Sequence, residues 1–157
     1  MEKHHLKIIS GGQTGVDRAA LDTALKNNLP VGGWCPKGRR AEDGTIDLRY
    51  PLKETVSEKY QVRTELNVRE SDGTLIICRG TPSGGTALTI KIAREQGKAL
   101  LIIDLLKQPT PEPVYQWILD NIISTINIAG PRESQSPGIY QETVLFLEKV
   151  IIFANNG

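Results

Sequence analysis

The chain has 157 residues and a mass of 17.3 kDa, is 39% hydrophobic, and carries 19 Lys and Arg against 18 Asp and Glu. That length suits one compact domain over residues 1–157, large enough for a core without disulfides or metals. The net charge of +1 excludes a nucleic-acid binder built on a broad basic surface, and no run approaches the ~18 apolar residues of a membrane helix. Met1–His5 runs into a strand without the apolar core of a signal peptide, His4 and His5 offer no site, and two cysteines, Cys35 and Cys78, point to a reducing, cytoplasmic setting.

In chain order, Leu6–Ser10 is a short β-branched strand stopped by Gly11-Gly12. Apolar positions from Val16 to Lys26 recur at helical spacing, and Val31–Cys35 reads as a second strand. Residues 36–53, rich in Gly, Pro and charge, have no period and predict a functional or mobile loop. A weakly amphipathic helix follows over 56–71, then a continuous apolar strand, Thr74–Cys78. A helix over 86–96 ends at Gly97, followed by a strand over 99–105, a helix from Pro111 to about Ile123, and a fifth strand, Thr125–Ala129. The last helix spans 138–154, with Tyr140, Val144, Leu147 and Ile151 on its apolar stripe. Five short strands separated by helices specify a doubly wound, Rossmann-like α/β domain with a mainly parallel sheet.

Two strand-to-helix turns are unusually rich in glycine and hydroxyls: Gly11-Gly12-Gln13-Thr14-Gly15 and Pro82-Ser83-Gly84-Gly85-Thr86. Each places unpaired backbone N–H groups and a positive dipole end where an anion fits, and glycine permits close approach of a phosphate. Neither turn is a P-loop or a dinucleotide fingerprint. Arg18, a cation in the first turn of a helix, needs a nearby anion, whereas Asp17 beside it suits the dipole. Lys37, Arg39 and Arg40 fall in the long loop, which shares a sheet edge with the turns if the second strand pairs with the first. Cys78 belongs to the core, and no zinc site or His-based triad is visible.

The stretches Ser10–Asp22, Gly33–Gly44, Thr64–Asp72, Pro82–Thr86 and Asn127–Ser134 resemble those of the putative molybdenum carrier family over nearly the whole chain. The resemblance implies a Rossmann-like protein that forms a dimer or tetramer and carries molybdenum cofactor, a phosphorylated pterin. The chain is also similar to the wider superfamily of cytokinin-activating phosphoribohydrolases, whose signature is Pro-Gly-Gly-x-Gly-Thr-x-x-Glu with an earlier Arg-Lys pair. Gly85-Thr86 match its Gly-Thr and Arg63 its Arg, but Thr64 replaces the Lys and Thr89 stands at the catalytic Glu.

The leading expectation is a non-enzymatic carrier for molybdenum cofactor or a nucleotide, its phosphate at the two glycine turns and Arg18, Lys37, Arg39 and Arg63 supplying charge. The alternatives are a nucleotide-processing enzyme, with Asp17, Glu65 or Glu70 as its carboxylate, and a nucleotide-sensing domain.

Overall fold

The computed structural model describes residues 6–156; His4 and His5 lie outside them. A central sheet of five strands, β1 (Lys7–Ile9), β2 (Val31–Gly32), β7 (Gly73–Cys78), β8 (Ala99–Asp104) and β9 (Thr125–Ala129), has the order β2-β1-β9-β7-β8. Every neighbouring pair is parallel, with Ile8 opposite Val31 and Ile126, and Leu75 opposite Leu101 and Ile128. Helices α1 (Val16–Lys26), α2 (Tyr60–Arg69), α3 (Gly84–Glu95) and α4 (Glu112–Asp120) make the crossovers, and α5 (Ile139–Asn156) closes the chain. Helix α5 packs on α1 and α4, while α2 packs on α3. Right-handed crossovers put these two groups on opposite faces of the sheet.

All six residues of β7 are buried, as a strand covered on both faces requires. Leu75 and Ile77 join Ile8, Val16, Ile126 and Phe146 in the larger core; Ile76 and Cys78 join Ile90 on the other face. Both cysteines are free and buried. On α5 the buried stripe is Ile139, Thr143, Phe146, Leu147 and Val150, so the stripe through Tyr140, Val144 and Ile151 is one position out of phase.

The predicted strand 31–35 is two strands. Gly33, at φ 127°, breaks it where a side chain would sit 2.2 Å from the Ser10 carbonyl oxygen. Beyond the break β3 (Trp34–Cys35) leaves the main sheet and pairs with β6 (Lys53–Glu54). Between them the aperiodic loop contains a hairpin, β4 (Arg40–Ala41) with β5 (Gly44–Thr45), and Ile46, Tyr50 and Leu52 bury against Leu21 and Cys35 in a small core of their own. The strands are too short for sequence periodicity to show. No described helix is long and apolar enough to cross a membrane.

Candidate functional site

Strand β1 feeds a helix on one face and β7 a helix on the other, with β9 between them, so the crevice that such a reversal leaves opens over the end of β9. A cleft of about 250 Å³ lies there. Gly11 and Gln13 come from the β1 turn, Gly85, Thr86 and Thr89 from the start of α3, and Asn127, Gly130 and Arg132 from the end of β9. Tyr60, Arg63, Thr64 and Asn67 of α2 form the facing wall.

The two glycine turns differ in what is left to bind a ligand. In the first, the Gly12 N–H donates to Ser10 Oγ (3.2 Å), Gln13 N–H to Asp17 Oδ2 (3.4 Å), and Thr14 N–H to Gln13 Oε1 (3.0 Å). The first N–H of α1, on Val16, donates to the Pro131 carbonyl (3.2 Å). The N–H groups of Gly12, Gln13, Thr14 and Val16 are thereby taken up within the protein. Gly15, at φ 78°, is required there, since a Cβ would lie 2.3 Å from that same carbonyl oxygen. No side chain caps either helix, but a Cβ on Gly85 at the start of α3 would meet nothing within 4 Å. That N-terminus is open to the cleft.

Arg63 reaches across from α2 and lies against Gly11, where a Cβ would come 1.7 Å from its Nη1. Its side chain is 14% exposed and 3.4 Å from Asp17 Oδ2, and its Nε is buried without an acceptor. It also stands 5.4 Å from the Tyr60 ring centroid. Burial pushes the Asp17 carboxyl up to about 6, outweighing the pull of Arg63 and of the Gln13 N–H.

The other cations singled out in the sequence go elsewhere. Arg18 pairs bidentately with Asp43 (3.0 and 3.2 Å) and donates to the Gly12 carbonyl. Arg39 donates to the carbonyls of Ile46, Asp47, Tyr50 and Leu52, which knits the 36–53 loop together. Lys37 and Arg40 are exposed on that loop, outside the cleft wall. Glu70 accepts from the Trp34 indole (2.7 Å) and Glu65 from Gln61, so neither carboxylate lines the cleft. Pro82 faces a separate hollow with Ile102, and Gly12 faces Leu52 and Ile46. Gly84 stands beside Gln135, and Ser83 is the residue preceding α3. Thr89 donates to the Gly85 carbonyl within the helix (3.0 Å).

Asn67, Asn127, Arg132 and Gln135 line the cleft without having been picked out from sequence. Asn67 is buried and clasps the Trp34 backbone, accepting from its N–H (2.8 Å) and donating to its carbonyl (3.0 Å). Asn127 is buried in the sheet and donates to Thr74. The signal for Arg132 was the Gly130-Pro131 stop after the fifth strand, which matters once β9 is known to be central.

These features define a Rossmann-like α/β protein with a polar cleft at its switch point. The model of the circularly permutated YpsA SLOG family matches residues 8–151, and the chain belongs to that family. The chain is 48% identical to a protein from Syntrophus aciditrophicus SB whose crystal structure bears the name "Putative molybdenum carrier protein", over 96% of this chain and 98% of that one, at TM-score 0.89. An (E)-4-hydroxy-3-methyl-but-2-enyl diphosphate reductase aligns at TM-score 0.39 and 14% identity over 98% of this chain and 60% of that one, too distant to inform the function. No curated protein matches the sequence.

Proposed function

We propose that the protein binds and carries a phosphorylated small molecule, molybdenum cofactor first and a nucleotide second, with the phosphate over the N-terminus of α3. The observation that carries this reading is the open turn Gly84-Gly85-Thr86 facing Arg63 across the cleft, with the Arg63 Nε buried and lacking an acceptor. Unpaired helix N–H groups and a guanidinium fork are complementary to phosphate oxygens. The molybdenum part of the reading rests on the likeness to the Syntrophus protein and its printed name. Calorimetric titration with molybdenum cofactor, AMP and pyrophosphate is expected to give micromolar or tighter binding for at least one of them. Arg63→Ala weakens it at least tenfold, in line with the loss of one charge-assisted contact of about 1.5–3 kcal/mol. Failure of every phosphate ligand to bind below millimolar concentration overturns the proposal.

A second reading, hydrolysis of a nucleoside monophosphate to base and ribose 5-phosphate, is favoured by one observation. Of Asp17, Glu65 and Glu70 only Asp17 lines the cleft, and its carboxyl titrates near 6, where one group can serve as acid and base. Product analysis over a nucleotide panel tests it: any turnover should vanish in Asp17→Asn, and turnover that survives removes Asp17 from the role.

A further inference from the structure

The β4–β5 hairpin turns through Glu42 and Asp43, and both carboxylates are held against the body of the protein. Asp43 takes Arg18. Glu42 meets a different kind of partner. Its Oε1 accepts from the Thr14 hydroxyl and from the Ser134 backbone N–H (3.1 Å). Its Oε2 accepts from the Ser134 hydroxyl (2.5 Å) and lies 3.4 Å from Arg132 Nε. The Thr14 oxygen is itself fixed, because it accepts the Glu133 N–H (3.1 Å). The hairpin reaches this place by a further bond, from the Glu42 N–H to Gln13 Oε1 (2.8 Å).

Two hydroxyls, a backbone N–H and a guanidinium converging on one pair of oxygens make a donor set suited to any compact oxyanion. Nothing in it selects a carboxylate over a phosphate or sulfate. The Glu42 carboxyl is held below its usual range, chiefly by the Ser134 and Thr14 hydroxyls, so it stays anionic at neutral pH. The place is reachable, with the side chains of Glu42 and Arg132 23% and 44% exposed. It adjoins the cleft, because Arg132 and Gln13 line both. A carboxylate on a two-residue hairpin tip is a replaceable occupant, unlike one buried in a core.

We propose that Thr14, Arg132 and Ser134 form an oxyanion subsite beside the cleft, filled by the chain's own Glu42, and that an incoming phosphoryl or sulfate group takes the subsite by displacing it. The subsite rests on the reading of the cleft only for the ligand that would reach it from there; its donors are separate from Arg63 and the α3 turn.

Sulfate, which stays dianionic across the neutral range, is the probe, titrated at constant ionic strength against wild type, Glu42→Ala and Glu42→Ala/Thr14→Val. Glu42→Ala is expected to bind sulfate at least tenfold more tightly than wild type and to gain a sulfate-dependent rise in Tm, and the added Thr14→Val removes both gains. A folded Glu42→Ala chain with wild-type sulfate affinity overturns the proposal, since Glu42 is then only a structural clasp. Should Glu42→Ala fail to fold, Glu42→Gln, which weakens the occupant by removing its charge, is expected to bind sulfate several-fold more tightly than wild type, and unchanged affinity overturns it equally. Arg63→Ala keeps the two proposals apart. AMP binding lost on that change concerns the cleft, whereas a sulfate gain that persists in Arg63→Ala/Glu42→Ala concerns the hairpin subsite.

Discussion

Asp17 occupies the first turn of α1, where an acidic side chain ordinarily stays ionised beside the helix dipole. Here it is 5% exposed, and its one cationic neighbour in contact stands at 3.4 Å, so desolvation wins and the carboxyl rises to about 6. The folded chain therefore holds a proton that the unfolded chain releases near pH 4. Stability from this residue is complete below that pH and falls as the pH climbs to about 6, by up to about 3 kcal/mol. Thermal melts between pH 4 and 7 should show that decline in wild type, and Asp17→Asn should flatten it. The position of Asp17 in a first turn was legible from sequence. Its burial was not, because that depends on Arg63, 46 residues later, closing over it.

At the level of elements, the 36–53 segment shows how a cation that reads as ligand-binding can be structural. Arg39 has φ 53° and gives its guanidinium to four carbonyls of one loop, a role that needs a planar fork. Arg39→Ala is expected to cost about 3 kcal/mol in chemical denaturation and to speed amide exchange at Ile46 and Leu52, with Arg39→Lys recovering only a minor part. Cation clusters carry no label of their partner in sequence, and backbone carbonyls leave no pattern at all. The same limit applies to the two glycine turns. Composition makes them look equivalent, yet in the first Ser10, Asp17, Gln13 and Pro131 take up four backbone N–H groups, while in the second a Cβ on Gly85 would meet open space.

On the scale of the molecule, the elements of the main sheet and its parallel α/β class were legible from apolar runs and their punctuation. The strand order was not, because nothing local says that β9 lies between β1 and β7. That one fact brings Asn127, Gly130 and Arg132 to the cleft, where no local pattern in the sequence would put them. It also governs cooperativity. Gly130 is squeezed so tightly that a Cβ would lie 2.1 Å from the Ile77 carbonyl oxygen, so β9 is a wedge at the sheet centre. A chain cut after Asn121 should lose the whole fold, with no cooperative melt by circular dichroism, since β1 and β7 are then left without their shared neighbour. Vectorial synthesis gives this arrangement a further meaning. Synthesis from the N-terminus delivers both flanking strands well before the keystone between them, so the facing edges of β1 and β7 stay unpaired until β9 has been made. The wall that Asn127, Gly130 and Arg132 give the cleft is therefore among the last of its parts to be put in place.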